Sequence, residues 1–408
     1  MPTLEHAAFS SMILFLSGCA LGLGDPTPPT REASLAEVEE YTRAVVRDGD
    51  PPSLSVAVLD DDRVVYERAF GWADAPRRVG ATPESTYRWF SVTKLFTAVA
   101  ILQLAEAGRI DLDAPVARYL PIVDDVFGAH ARAITIARLL SHSSGIGDVG
   151  NDIFSWVHVE GPHPLERELV QRHLADYDDF DEAHVGRGHY SNLGYILLGG
   201  VVEAVTGRPY TEYVQTEVLD RLGMSSTGFH YDDRRFAAGT RHAVGSHPHD
   251  FIGFLIALSL DMDELERESA ERRYWFNPFH PDQSAPSGLV GTSGDALRFA
   301  RAILSGGELD GKRILSRRSV AAMSQPRVEL VESPAGDLDG FSLGYAWFIG
   351  HDARGRRVLA HGGGAMAYTA MLMLWPDEGR AVFVAANGSY LDGAMGWHVA
   401  EAYGSLEW

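Results

Sequence analysis

Two residues three positions apart carry the first chemical signal, Ser91 and Lys94 in the run Trp89-Phe90-Ser91-Val92-Thr93-Lys94. The chain holds only two lysines, Lys94 and Lys312, and otherwise uses arginine for positive charge. Arginine stays protonated, whereas a desolvated lysine can give up its proton and serve as a base. The apolar residues Leu95-Phe96-Thr97-Ala98-Val99 predict a helix, and a spacing of three sets Ser91 and Lys94 on one face of it. Ser91 then falls in the first turn, where the helix dipole and unpaired N–H groups favour a nascent alkoxide and oxyanion. That is an activated serine with an adjacent amine base. Alone, the pair also fits a capping serine and a solvated lysine, although the apolar neighbours argue against solvation.

Two further stretches supply matching groups. Tyr190-Ser191-Asn192 precedes an apolar helix, Leu193 to Val205. A tyrosine at such a junction can join a proton relay, and the Asn192 amide can bind a substrate carbonyl or the lysine amine. The plainer reading is that Ser191 or Asn192 caps the helix. His361-Gly362-Gly363-Gly364 ends one predicted strand and precedes another. Glycines there let a substrate lie against the strand edge, and a backbone N–H can complete an oxyanion hole. The plainer reading is a Gly-rich hairpin.

In this order the three stretches resemble the serine β-lactamase-like superfamily: class C β-lactamases, D-alanyl-D-alanine carboxypeptidases and esterases of the same fold. Leu139 to Gly145, Pro286 to Val290 and Gly306 to Lys312 are also similar to that family, and the resemblance runs from about Leu35 to the C-terminal helix. It implies that Ser91 is acylated, that Lys94 and Tyr190 share the proton transfers, and that Asn192 positions substrate. It also implies an oxyanion hole from the N–H groups of Ser91 and Gly364 beside Gly363, with His361 near the leaving side or a carboxylate. His361 stands where many members have lysine; an imidazole is mostly neutral at pH 7 and anchors a carboxylate weakly. The segment before Tyr190 lacks the Pro-Gly turn often found there, and the insertion from Asn151 to Asp179 reshapes that rim.

The expected function is therefore a serine hydrolase acting through an acyl-enzyme on a small ester, amide or lactam carbonyl. Esters come first, D-Ala-D-Ala peptides second and β-lactams third. The competing reading is a penicillin-binding or scaffold protein of the same fold without turnover. No metal and no organic cofactor is required. No Gly-x-Ser-x-Gly elbow occurs, which closes the α/β-hydrolase route to a serine esterase. His242, His247, His249 and Asp250 lie close in sequence but lack a metal-binding spacing and read as a polar loop. His142 and His189 read as structural.

The elements that must position these groups follow from the pattern. Ser34 to Glu37 is a capping box, followed by Leu35, Val38, Tyr41 and Val45 at helical spacing. Leu54 to Leu59 and Val64 to Phe70 read as a hairpin around Asp60-Asp61-Asp62. Helices fill the middle, including Leu95 to Ala107 and Thr292 to Leu304. Strands return at Tyr345 to Ile349, Val358 to His361, Thr369 to Trp375 and Ala381 to Ala386, before a helix from about Asp392 to Tyr403. The fold class is α+β: an antiparallel sheet built from both ends of the chain, flanked by helices, with a mainly helical middle subdomain. Phe251 to Leu260 is an apolar stretch read as packing or a flap.

Composition agrees. With 408 residues, 45% hydrophobic and 22% charged, the chain is long enough for a large core and is not disordered. A net charge of −21 repels phosphate backbones and excludes nucleic acid as an expected partner. The single cysteine, Cys19, ends Leu16-Ser17-Gly18-Cys19 after the apolar stretch Ala7 to Leu16. This resembles a bacterial lipobox, and implies a cell-envelope lipoprotein anchored to the membrane through lipidated Cys19. Residues 1–33 then form signal and tether, and 34–404 the hydrolase domain. The competing reading is a chance cysteine in the N-terminal tail of a cytoplasmic protein; no Lys or Arg precedes the apolar stretch.

Overall fold

A computed structural model describes residues 27–29, 32–47, 51–150, 155–231, 241–250, 260–330, 340–365, 367–388 and 394–408. The apolar segments Ala7 to Leu16 and most of Phe251 to Leu260, and Cys19, lie outside the described residues.

Side-chain alternation builds the central sheet. Along β1 (Ser53–Asp60), Leu54, Val56 and Val58 enter one buried cluster, and Ala57 and Leu59 enter another. A strand covered on both faces has no solvated side, so its sequence reads as nearly apolar throughout. It pairs with β2 (Arg63–Asp74), which leads to the short β3 (Val79–Gly80). The other members are β5 (Val328–Glu329), β6 (Ser342–Leu343), β7 (Phe348–His351), β8 (Arg357–Ala365), β9 (Tyr368–Trp375) and β10 (Arg380–Ala386). The nine strands run antiparallel in the order β5-β6-β7-β8-β9-β10-β1-β2-β3. The two ends of the chain therefore meet at β10–β1.

One face is covered by α1 (Leu35–Arg47) and the C-terminal α7 (Ala394–Gly404), which contribute Val38, Tyr41, Val45, Met395, Trp397 and Val399 to its cluster. Ser34 and Glu37 cap α1 as the sequence predicts, although Leu35 is partly exposed. The other face carries the helical middle: α2 (Thr93–Glu106), α3 (Ile136–Leu140), α4 (Glu166–His173), α5 (Asn192–Thr206) and α6 (Ser293–Leu304). α2 is buried on nearly all sides, which explains its apolar run without a polar stripe.

A smaller sheet places β4 (Ser85–Arg88) against Val290–Gly291, leading the chain straight into the Ser91 turn. Trp89 locks that turn from below. Its ring lies 5.2 Å from Phe383 and 5.8 Å from Phe96, and its Nε1–H donates to the Gly291 carbonyl. Truncating such a core aromatic costs about 3–5 kcal/mol.

Two elements differ from the sequence expectation. The strand expected to end at His361 continues through the glycines to Ala365, because β9 pairs with every one of them. The strand expected from Tyr345 starts at Phe348, because Ala346 takes a positive φ of 64° and breaks extension. Asp261 to Arg273, a charged run in the sequence, forms a short helix and the strand Glu266–Ala270.

Candidate active site

Ser91 sits in a 3-10 turn, Phe90–Val92, that runs directly into α2. Phe90 adopts φ of +42°, a strained conformation for a bulky residue and one that clusters at functional turns. Two long-range contacts over-determine it. Trp89 N–H donates to the Leu289 carbonyl at 2.9 Å, and Leu289 N–H to Thr93 Oγ1 at 3.1 Å. Gly363 on β8 presses on the same turn: a Cβ there would lie 2.0 Å from the Trp89 carbonyl oxygen and 2.8 Å from Ser91 N. Only glycine fits, which brings the strand edge against the nucleophile.

Lys94 is fully buried one turn along. Its Nζ lies 2.9 Å from Ser91 Oγ, 2.8 Å from Asn192 Oδ1 and 3.2 Å from the Pro286 carbonyl. Burial holds its ammonium down to about 7, with the Asp148 carboxylate pulling the other way. The three neighbours divide by type. Asn192 Oδ1 and the Pro286 carbonyl can only accept, so they engage the two N–H bonds of a neutral amine. The lone pair is then left for the Ser91 hydroxyl proton.

Asn192 is held by a residue that sequence reading missed. Asp148 accepts Asn192 N–H at 2.6 Å, Asn192 Nδ2–H at 3.0 Å and Leu193 N–H at 3.1 Å. With Nδ2 given to Asp148, Oδ1 must face Lys94. Both ends of this amide are therefore used inside the protein, and of the two partners weighed from sequence the structure shows the lysine amine. The partners lie 44 residues apart, so no short spacing marks Asp148; its one signal is that it follows the Leu139 to Gly145 stretch. Ser191 caps α5, accepting Gly194 N–H, and donates to the Gly147 carbonyl.

Tyr190 stands beside the pair, its ring centroid 5.0 Å from Lys94 Nζ, and the nearby Ser91 hydroxyl favours its ionised form. Burial pushes its phenol up, so the hydroxyl keeps its proton at neutral pH. His142 stacks on Tyr190 at 4.3 Å and accepts Ser191 N–H through Nδ1, a supporting position. His189 stacks on His184.

His361 is buried just beyond the start of β7, whose first residue, Phe348, pairs with Ala360. His361 Nδ1–H donates to the Ala346 carbonyl, which leaves Nε2 as a lone pair that is buried and unpartnered. Burial, then the Lys94 charge, hold this imidazole down to about 3. It is a neutral acceptor and cannot pair with a carboxylate as an ammonium would. Gly364 continues the same edge, opposite Thr369 on β9.

The structure thus brings Ser91, Lys94, Tyr190, Asn192, His361 and Gly363 to one place, with Asp148 and Pro286 behind them. The His242, His247, His249 and Asp250 group does not converge on one point. His242 meets Thr86, His247 the Pro248 carbonyl and His249 Ser269.

Known proteins share this fold. A solved structure of an octameric penicillin-binding protein homologue from Pyrococcus abyssi superposes with a TM-score of 0.74 at 24% identity, covering 91% of this chain and 76% of that one. D-amino acid amidase from Ochrobactrum anthropi superposes at 0.70 with 19% identity, covering 91% and 98%. These likenesses show the fold. In sequence, Penicillin-binding protein 4 of Amycolatopsis lactamdurans is 29% identical over 351 residues, 83% of this chain and 81% of that protein. The Beta-lactamase family profile matches residues 38–404, nearly the whole described fold, and the chain belongs to that family.

Proposed function

We propose that this protein is a serine hydrolase that transfers an acyl group to Ser91, from an ester or amide that carries no carboxylate on its leaving side. The observation that carries this reading is the Lys94 amine, buried, 2.9 Å from Ser91 Oγ and held down to about 7. Neutral Lys94 takes the Oγ proton as Oγ attacks the carbonyl carbon. The oxyanion settles on the N–H groups of Ser91 and Gly364. The bond to the leaving group breaks as the Tyr190 hydroxyl passes it a proton, which Lys94 replaces. Water then attacks the acyl-enzyme by the reverse relay. Lys94 is the base rather than a Tyr190 phenolate, because burial lowers one and raises the other.

The neutral His361 supports uncharged leaving groups over D-Ala-D-Ala peptides and β-lactams, whose carboxylates need a cation. The amidase neighbour makes D-amino acid amides a natural member of the panel beside short-chain esters. Lipidation at Cys19 and a cell-envelope location are part of the same proposal. Among the described residues no helix is long and apolar enough to cross a membrane.

Intact-mass spectrometry after a fluorophosphonate tests the nucleophile: one adduct, lost in Ser91→Ala, is expected. Side-by-side turnover of p-nitrophenyl butyrate, a D-amino acid amide, a D-Ala-D-Ala peptide and nitrocefin tests the substrate class. Turnover of nitrocefin alone overturns the substrate order. Acylation by a lactam with no release is the outcome of the non-turnover reading.

A further inference from the structure

The geometry points to a second site: His163, His230 and His280 form a pocket for one divalent transition cation of the zinc class. One ligating nitrogen from each lies within 4.8 Å of the others. The ring centroids are 4.0 Å apart for His163–His230, 4.7 Å for His230–His280 and 5.4 Å for His163–His280. The residues come from three distant segments: the insertion before α4, the stretch after Thr227–Gly228, and the strand His280–Pro281 that pairs with Val157–His158.

Hydrogen bonds on the outside of the cluster leave lone pairs inside it. The Phe229 carbonyl lies 3.1 Å from His163 Nε2 and 3.3 Å from His280 Nδ1. A carbonyl only accepts, so a proton directed at it frees His163 Nδ1, and the same turn on His280 frees Nε2 once Arg88 gives up His280 Nδ1. His163 Nδ1 is buried and has no partner. A fourth ring, His158, gives its Nδ1–H to Asp282 Oδ1 at 2.7 Å, and its Nε2 is likewise buried without a partner. It lies 5.3 Å from His163 and 5.5 Å from His280, centroid to centroid. Acceptors behind histidines, fixing which nitrogen faces inward, are the usual support of a metal ligand set. Burial keeps His163 at about 3 and His280 far below its ordinary range, so both rings are neutral, the form that binds metal. All-imidazole donors suit zinc and its neighbours rather than calcium or magnesium.

Arg88 opposes the cation and thereby gives the inference a signed test. It is fully buried, with Nη2 2.9 Å from His280 Nδ1 and Nη1 3.3 Å from the Gly288 carbonyl. Without a cation, His280 Nδ1 accepts from Arg88 and the ring proton sits on Nε2. Binding moves that proton to Nδ1, where it turns to Phe229, and Arg88 keeps only Gly288. The ring stays neutral throughout. Zinc–nitrogen bonds of about 2.0–2.1 Å then draw the rings slightly together. The cation pins the insertion to the body of the fold and takes no part at Ser91.

Calorimetric titration of the tag-free, chelator-stripped full chain with zinc chloride tests this directly. Uptake of one zinc per chain is expected, with a rise in Tm and, on cobalt substitution, the visible absorption of a four-coordinate nitrogen site. His163→Gln lowers affinity by at least about tenfold, Arg88→Met raises it, and His249→Gln leaves it unchanged. Absence of saturable uptake at sub-millimolar zinc overturns the site. So does equal affinity in the His163→Gln, His230→Gln double variant. Should those variants fail to fold, the cobalt spectrum of the wild-type chain decides alone: four-coordinate nitrogen ligation upholds the site and its absence overturns it.

Discussion

The Ser91 turn and the histidine cluster both bury nitrogens whose charged form burial disfavours, at Lys94 and at His163 and His280, yet they present them to opposite ends. At Lys94, two fixed acceptors, Asn192 Oδ1 and the Pro286 carbonyl, take two N–H bonds and leave one lone pair for one hydroxyl. In the cluster, the Phe229 carbonyl and the Asp282 carboxylate occupy the outer nitrogens of His163 and His158 and leave their inner nitrogens as lone pairs. A bare lone pair facing an O–H makes a base. Several facing each other make a seat for a cation. Burial lowers the amine and the His163 and His280 imidazoles alike, so what separates the two regions is the type of group placed opposite.

That contrast breaks most sharply at the nucleophile. Ser91→Ala is expected to reduce kcat/KM for p-nitrophenyl butyrate by about 10³-fold or more while zinc uptake stays unchanged. Loss of both together would mean that one site, not two, governs the fold. Lys94→Met comes next, with a fall in kcat of about 10²–10⁴-fold. Lys94→Arg should not rescue it, since a guanidinium keeps its proton; recovery by arginine in a steady-state assay would show that charge, not a lone pair, matters.

The pH profile sharpens the same point. With Lys94 held to about 7, kcat/KM should fall as pH drops below that value, because the amine gains a proton and loses its lone pair. Asp148→Asn removes a negative charge that favours the ammonium, so this acid limb should move to lower pH. The variant also frees the Asn192 amide, and kcat should fall by about tenfold. A limb that stays in place in Asp148→Asn would separate it from the proton relay. The smallest effect is expected at the other lysine. Lys312 is exposed in the Glu308–Arg313 hairpin, and Lys312→Ala should change stability by no more than about 0.5 kcal/mol and leave turnover intact.

Much of this arrangement was legible in the chain itself. The spacing of Ser91 and Lys94, the Tyr190 to Asn192 stretch and the His361 to Gly364 run named, in order, groups that the structure brings together. The alternating strands and capped helices named the α+β class. What escaped notice was contributed across long distances. Asp148 acts through Asn192, and Pro286, although its stretch stood out in the sequence, meets Lys94 through a backbone carbonyl that no side chain announces. The four clustered histidines span 158–280 with no motif spacing. The local group His242 to Asp250 is close in sequence but does not gather at one point, because His242 and His247 sit on different strands and only His247 and Asp250 approach, at 4.0 Å.

The amino-acid order alone determined which side chains could react, since one of only two lysines among many arginines and a serine one helical turn away are properties of composition and local periodicity. Tertiary structure decided which of them burial pushes toward the neutral amine and which toward the protonated phenol. Protonation depends on burial and on the groups brought opposite, and those come together only when β4, α5 and the segment around Pro286 close around Lys94.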